Sequence, residues 1–195
     1  MGLKEKITQG EKMKKRKKPA DGYKSDEERM FRDWLIEAEE VDLIGNWTYE
    51  PITYDIAPKQ RYDIEVSLKT KKAVRTKHLL LPLVFTPDFV FTLTEKGIKA
   101  GLGDVFEKSV ATNGTTITVD VKGGGSKFHD AKYFSAMQKV VYLLKKVYVE
   151  KVVPAKFFPL TFAPEAWRYK KNGQINALGT RTLNRTQWLL TRRVK

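Results

Sequence analysis

The first regular pattern of apolar and polar residues in the chain is helical. Ser25 stands three residues before Glu28, a spacing typical of a capping box at the start of a helix. The apolar residues that follow recur every three or four positions, at Met30, Phe31, Trp34, Leu35, Ala38 and Val41. The pattern therefore predicts an amphipathic helix over about 26–41, ended by Gly45 and Asn46.

From Trp47 onward the pattern changes to that of β-strands. Segments rich in Thr, Val, Ile and aromatic residues alternate with Pro, Gly and Asn-Gly, which are typical of turns. Four strands are predicted, at 47–56, 61–69, 79–93 and 115–122. The segment 126–146 returns to helical spacing after a Gly-Gly-Gly break, and 147–153 predicts a last strand before Pro154.

This order of helix, strands, helix and strand predicts an α/β fold with helices flanking a mixed central sheet. A chain of 195 residues with 41% hydrophobic content suits one domain. We expect three parts: a basic flexible N-terminal arm over 1–22, a core over 23–163 and a basic C-terminal extension over 164–195. The extension has little periodicity, and we expect it to be loosely packed with one short helix at most.

Composition narrows the class of protein. The absence of cysteine excludes a disulfide scaffold and a thiolate zinc site, and it is compatible with a reducing compartment. The first ten residues lack the apolar segment of a signal peptide, and no run approaches the ~20 apolar residues that span a membrane. We therefore expect a cytoplasmic protein that has no membrane partner.

The net charge of +14 is concentrated near the two ends of the chain. Residues 1–20 contain eight Lys/Arg and two Glu, and residues 165–195 contain eight Lys/Arg and one Glu, which leaves +1 for 21–164. Cationic arms on a nearly neutral body suit a polyanion such as DNA, because each neutralised phosphate releases counterions. A solubilising tail or a nuclear-localisation signal are the alternative interpretations of the N-terminal lysines.

Basic residues in the arms and near the second predicted helix are candidates for nucleic-acid binding. They are Lys14, Lys15, Arg16, Lys17, Lys18, Lys127, Lys132, Arg168, Arg192 and Arg193. For Lys127 and Lys132, a solvated helix face explains the same residue types. Trp167, Tyr169 and Trp188 alternate with cations in the extension, where they either stack on bases or pack the extension onto the core.

Two aspartates interrupt apolar strands, where an isolated charge costs several kcal/mol to bury. Asp88 lies in the sequence TPDF and Asp120 in VDVK. Because side chains in a strand alternate between faces, Asp120 and Lys122 are expected on the same face. Oxygen ligands from Asp88, Asp120 and a backbone carbonyl suit Mg²⁺ or Mn²⁺, with Glu28 as a nearby ligand.

Each of these residues also has a purely structural interpretation. Asp88 at a strand end can bond to backbone amides. Asp120 and Lys122 can form an ion pair on a solvated face, which contributes little to stability. Glu28 can serve only as a capping residue.

In their order along the chain, these elements resemble the PD-(D/E)XK nucleases of restriction-endonuclease-like fold. The resemblance lies in the helix SDEERMFRDWL with Glu28, the TPDF strand with Asp88, and the VDVKG strand with Asp120 and Lys122. It covers about 25–153 and extends to small phage-encoded nucleases and the endonuclease subunit of certain transposons. Asp120 stands where Glu is commoner, an accepted variant in that family. Glu27 is the alternative to Glu28, which we favour because Phe31 and Leu35 follow at three and seven residues.

The resemblance implies a metal-dependent DNA endonuclease with a restriction-endonuclease-like core. Glu28, Asp88 and Asp120 would organise one or two Mg²⁺ or Mn²⁺ ions, and Lys122 would position the attacking water. The family includes enzymes specific for branched DNA, among them Holliday junction resolvases that act as homodimers, and a phage-encoded member would act inside the host cell. Two alternatives stay open: a non-catalytic nucleic-acid-binding protein on the same fold, and an RNA- or ribosome-associated protein.

Overall fold

Helices and short strands alternate irregularly along the chain. A computed structural model describes residues 22–68, 71–124 and 128–192, without the side chains of 128–131. In chain order the elements are α1 (Asp26–Glu40), β1 (Ile44–Tyr49), β2 (Tyr54–Ala57), β3 (Gln60–Ser67), β4 (Lys72–Leu80), β5 (Leu83–Phe85), β6 (Phe89–Leu93), α2 (Glu95–Gly97), a π-helical segment (Ile98–Leu102), α3 (Gly103–Val105), α4 (Glu107–Asn113), β7 (Thr116–Val121), α5 (Phe128–Lys145), β8 (Val149–Val152), α6 (Pro154–Phe157), a 3₁₀ turn (Glu165–Trp167), α7 (Ala177–Arg181) and α8 (Arg185–Arg192).

A four-stranded mixed sheet forms the centre of the fold. Its strand order is β1-β6-β7-β8. Strand β6 is antiparallel to both β1 and β7, and β8 runs parallel to β7. The predicted α/β class with a mixed central sheet is therefore confirmed.

Helix α1 forms as the apolar spacing predicts. The Ser25 side chain accepts a hydrogen bond from the Glu28 amide and caps the helix start, and the apolar face buries Phe31, Trp34 and Leu35 completely. The helix ends at Glu40, so the prediction that Gly45 and Asn46 end it is wrong. Both lie in β1, where a Cβ atom on Gly45 would come 2.6 Å from Thr92 Oγ1 of the neighbouring strand.

Aromatic side chains from helices and strands fill the layer between α1 and the sheet. Phe89 and Phe91 of β6 project toward α1, and Phe31 packs edge-on against Phe89 with ring centroids 5.4 Å apart. The Trp34 ring packs against Phe157 at 4.9 Å. On the opposite sheet face, a second cluster joins α5 to the sheet and includes Phe85, Phe134, Met137, Val141 and Val149. Helices thus cover both faces of the sheet.

The helical segment between β6 and β7 is absent from the sequence-based prediction. It places Leu102 and Phe106 in the core, with Phe106 packed edge-on against Phe91 at 5.6 Å. Three glycines interrupt its apolar spacing. Gly97 is required because a Cβ atom there would lie 1.9 Å from the Leu43 carbonyl oxygen, and Gly101 has a φ of 95°.

The predicted strand over 79–93 is divided among three strands. Its first residues end β4, the middle forms β5, and the last part forms β6. Strand β5 pairs with β2, and β4 pairs with β3, in two separate antiparallel sheets. The prediction at 61–69 is confirmed as β3, whereas most of β4 was not predicted because its cations obscure the alternation.

The chain after Ala163 packs more closely than the sequence predicts. It contains a 3₁₀ turn and two helices instead of one short helix. Trp188 of α8 is 2% exposed and packs against Phe162 with ring centroids 5.8 Å apart. The Trp167 indole N–H donates to Asp33 Oδ2 over 2.7 Å. These two tryptophans therefore join the segment to the core, and Tyr169 remains exposed.

Within the described ranges, no helix is both long and apolar enough to cross a membrane.

We expect Trp188→Ala to lower the free energy of unfolding by roughly 3–5 kcal/mol, because the substitution leaves a large cavity against Phe162. Urea unfolding followed by tyrosine and tryptophan fluorescence measures this change. The exposed Tyr169→Ala is the matched control and should change stability by less than about 0.5 kcal/mol. Equal stability of the two variants would contradict the packing of α8 described here.

Candidate functional site

The backbone at Asp88 is fixed between two strands. Its amide donates to the Val119 carbonyl oxygen at 2.9 Å, and its carbonyl accepts from the Glu50 amide at 2.8 Å. The Asp88 side chain is buried, and its Oδ2 accepts from the Val121 amide at 2.7 Å. The predicted bond to a backbone amide is thus present, and it holds the carboxyl group at the end of the sheet.

Asp120 lies on β7 beside this carboxyl group and is 3% exposed. Lys122 Nζ approaches Asp120 Oδ2 to 2.6 Å, which confirms that the two side chains share a face. The contact is an ion pair at hydrogen-bonding distance, and it lowers the pKa of Asp120. The Lys122 amide donates to the Val152 carbonyl at 2.8 Å and extends the pairing of β7 with β8.

Glu28 reaches the same region from the first turn of α1 and is 6% exposed. Its Oε2 accepts from the Lys24 amide at 2.9 Å and from the Tyr49 hydroxyl at 2.8 Å, and its Oε1 accepts from Ser25 Oγ at 3.3 Å. The predicted capping interaction is therefore confirmed, and the backbone group that donates to the Glu28 carboxylate is the Lys24 amide. Three donors orient the carboxylate before any ligand binds.

A pocket of about 410 Å³ opens between α1, β7 and α5. Glu28, Asp120 and Lys122 form its polar wall, and Phe85 and Phe134 belong to its apolar wall. Glu27 also lines it, and a Cβ atom on Gly123 would lie 2.9 Å from Glu27 Oε1. Both glutamates of the first turn therefore face the pocket, and Glu28 is the more deeply buried of the two.

The carboxyl groups perturb one another electrostatically. Burial and the charge of Asp120 together raise the pKa of Asp88 to about 7, and the hydrogen bond from the Val121 amide opposes this shift. Burial also raises the pKa of Asp120, against the lowering effect of Lys122. The charge of Glu28 raises both pKa values. Asp88, Asp120 and Glu28 thus share the site with Lys122, and Lys24 adds a second positive charge that interacts with Asp88 and Glu28.

The donor set fits a hard divalent cation only in part. In the portion of the chain that the structure describes, no group of three or more His, Asp or Glu residues is arranged to hold a metal. Two buried aspartates with raised pKa values suit a cation completed by waters or a carbonyl oxygen. Glu28 is committed to protein donors and would act beside the ligands.

The predicted nucleic-acid-binding residues are scattered. Arg168 is 5% exposed, and its guanidinium donates to the Gly179 carbonyl, so its burial does not support a phosphate contact. Arg192 stacks over the Trp188 ring at 5.3 Å, and Lys132 is exposed on α5. Seven further candidates lie outside the described residues: Lys14, Lys15, Arg16, Lys17, Lys18, Lys127 and Arg193.

Sequence reasoning missed two contributors to this site. Tyr49 ends β1, and burial together with its bond to Glu28 raises its pKa. Phe85 ends β5 and lines the pocket. Tyr49 and Glu28 are 21 positions apart, and no local pattern connects them; for Phe85 the available signal is its place three residues before Asp88.

No protein-family model, curated protein or solved structure matches this chain. Its function therefore has to be inferred from the residues of the site.

We expect the metal-free protein to lose stability as the pH rises from about 4 to about 7. The pKa of Asp88 is higher in the folded state than its ordinary value of 3.8, so its contribution to stability is complete below that value and is lost as the pH passes about 7. Asp88→Asn removes this contribution. Between pH 5 and pH 7 the wild type should lose about 2 kcal/mol more of its free energy of unfolding than Asp88→Asn.

Urea unfolding in EDTA at several pH values measures this difference. Asp104→Asn, at an exposed position in α3, is the control and should keep the pH dependence of the wild type. Parallel curves for the wild type and Asp88→Asn would show that Asp88 titrates as an ordinary surface carboxyl group.

Proposed function

We propose that this protein is a metal-dependent DNA endonuclease that hydrolyses phosphodiester bonds on a restriction-endonuclease-like core. One observation carries the proposal: Asp88 and Asp120 are buried side by side at the end of the sheet, and Asp120 lines a pocket together with Glu28 and Lys122. Buried like charges repel each other, and a fold gains nothing from them unless a cation or a proton relieves the repulsion.

Asp88 and Asp120 are the residues that would hold Mg²⁺ or Mn²⁺. A bound cation supplies positive charge for the transition state of phosphoryl transfer and lowers the pKa of water. The protein's part is to keep the ligands in place before binding. The backbone does this for Asp88 through the Val121 amide, and the register of β7 does it for Asp120.

Lys122 would orient the attacking water. Its Nζ is held 2.6 Å from Asp120 Oδ2, and its side chain is 32% exposed, so the ammonium remains accessible from the pocket. An ammonium has three N–H donors, and the remaining ones can bind the water and a phosphate oxygen. Fixed donors of this kind stabilise negative charge as it develops on the phosphate.

Glu28 would act through its neighbours as a positioning residue. Its carboxylate joins the start of α1 to Tyr49 at the end of β1, and its negative charge adds to the field around the two aspartates. Loss of such a supporting group typically lowers activity or metal affinity 10- to 100-fold, because the metal ligands are then held less firmly in place.

DNA is the proposed substrate because of the charge distribution and the resemblance to nucleases. A nearly neutral body would carry the pocket, and the cationic ends of the chain would bind phosphates around it. Cleavage of branched DNA and action as a homodimer remain proposals within this function.

One observation favours a non-catalytic alternative. Lys122 already pairs with Asp120, and Glu28 already has three donors, so part of the acidic charge is compensated within the chain. A nucleic-acid-binding protein that never binds a cation is compatible with those contacts. The two functions differ in their response to metal ions.

We expect Mn²⁺ or Mg²⁺ to raise the melting temperature of the wild type. A ligand at 100 times its Kd stabilises the folded state by about 2.7 kcal/mol, which corresponds to several degrees for a domain of this size. Differential scanning fluorimetry at constant ionic strength measures the shift. Asp120→Asn should abolish it, and Asp104→Asn should retain it. The same shift in both variants would argue for cation binding elsewhere and against the proposed site.

We expect the wild type to cleave labelled DNA in Mg²⁺ and to leave it intact in EDTA. Linear duplex, single-stranded, flapped and four-way-junction substrates, compared in one assay, would identify the preferred structure. Asp120→Asn and Lys122→Ala should each lower the rate at least about 10²-fold, since each removes charge stabilisation at the reacting phosphate.

The control is again Asp104→Asn, which should cleave at the wild-type rate. Intact DNA under all conditions, together with gel shifts that Asp120→Asn leaves unchanged, would establish the non-catalytic alternative.

A further inference from the structure

Strands β3 and β4 form a two-stranded ribbon that stands apart from the central sheet. They pair with each other over 61–67 and 72–78 and, among the described strands, with no other. Every paired side chain is exposed except Ile64, Val66 and Ala73, which are half-buried. At about 3.3 Å per residue, the eight residues of β3 make the ribbon about 26 Å long.

One face of this ribbon carries both cations and carboxylates. Directly paired residues share a face, which places Asp63 opposite Thr76 and Glu65 opposite Val74. Two side-chain contacts agree with this register: Thr76 Oγ1 donates to Asp63 Oδ1 at 2.7 Å, and Lys72 Nζ lies 3.8 Å from Glu65 Oε2. With Arg61, this neutral face has two cations and two carboxylates.

The opposite face has cations and no carboxylate. Its paired residues are Tyr62 with Lys77, Ile64 with Arg75 and Val66 with Ala73. Tyr62 is 42% exposed, and Arg75 and Lys77 are exposed beside it. This cationic face thus presents a guanidinium, an ammonium and an aromatic ring on a half-buried apolar base. Adjacent positions on one face lie about 6.6 Å apart, so the two cations can contact different phosphates.

We propose that the cationic face of the ribbon binds the phosphate backbone of duplex DNA beside the pocket. The inference rests on the proposed function for its assumption that DNA is the substrate. The carboxylates of the ribbon lie on one face only, and this separation of charge points to a polyanion bound to the other face. If the charges served only solubility, a mixture of cations and carboxylates on both faces would serve equally well. The major groove of DNA, about 12 Å wide, admits a two-stranded β-ribbon.

The chain connects the ribbon to the pocket through a short segment. Strand β4 is followed by Leu81 and Pro82, and then by β5, whose last residue Phe85 lines the pocket. Asp88 comes three residues later. A duplex held by the ribbon would therefore be attached to the segment of chain that leads into the carboxylate pair. The contacts between the ribbon and the duplex would extend the bound length of DNA beyond the scissile phosphate.

The test compares two double variants that remove the same charge from opposite faces. Arg75→Gln with Lys77→Gln neutralises the cationic face, and Arg61→Gln with Lys72→Gln neutralises the two cations of the neutral face. Fluorescence anisotropy with a labelled duplex in EDTA, at several salt concentrations, measures affinity without cleavage. We expect the first variant to bind at least 10-fold more weakly than the second. The slope of log K against log salt should decrease by about 2 for the first variant, because two phosphate contacts are lost.

Controls separate charge, folding and self-association. Arg75→Lys with Lys77→Arg keeps the charge and should retain most of the affinity. Circular dichroism should give the same melting temperature for all variants, because the substituted side chains are exposed. Equal losses of affinity in both double variants would overturn the proposal, as would a change in molar mass by light scattering confined to the first variant, which would identify the cationic face as a contact between two copies of this chain.

The outcome is independent of catalysis. Weaker binding by the first double variant, in a protein that does not cleave DNA, would support the ribbon and reject the nuclease. Cleavage by the wild type, with equal duplex binding by all variants, would support the nuclease and reject the ribbon.

Discussion

Two carboxyl groups held side by side out of water repel each other, and the rest of the fold has to hold them together. Neither Asp88 nor Asp120 can move away, because the first is bonded through its amide, its carbonyl and its carboxylate to neighbouring backbone, and the second lies inside the pairing of β7 with β8. The aromatic layer under β6 and β7 makes this arrangement rigid. Burial is the main cause of the raised pKa of both groups, and for Asp88 the charge of Asp120 adds to it.

Local patterns predict the parts of this fold that local interactions determine. The capping residue and apolar spacing of α1 are sufficient to place the helix to within one residue at its end. Alternation along β7 is sufficient to put Asp120 and Lys122 on one face. The helical segment before β7 has no comparable signal, because Gly97 and Gly101 are there for a close backbone approach and a left-handed turn that only the assembled structure reveals.

The residues of the candidate site also divide into those that local patterns predict and those that only the assembled structure reveals. Its charged residues could be chosen from the sequence, since a charge within an apolar strand is conspicuous. Tyr49 and Phe85 could not, because an aromatic residue at a strand end has the same appearance whether it lines a pocket or fills a core. Arg168 illustrates the opposite error: a cation in a basic segment suggests a surface contact, yet burial among α7 and the 3₁₀ turn gives it a structural role.

The C-terminal segment has a consequence for the order in which the protein is assembled. It contacts α1 at several points: Trp167 bonds Asp33, the Glu165 amide donates to Glu37, and Arg185 donates to the Glu37 carbonyl. Helix α1 also carries Glu28. During synthesis on the ribosome, these contacts form only as residues 165–185 emerge, after the strands with Asp88 and Asp120. The helix that completes the acidic site is therefore fully anchored only late in translation, so the pocket matures after the sheet that supports it.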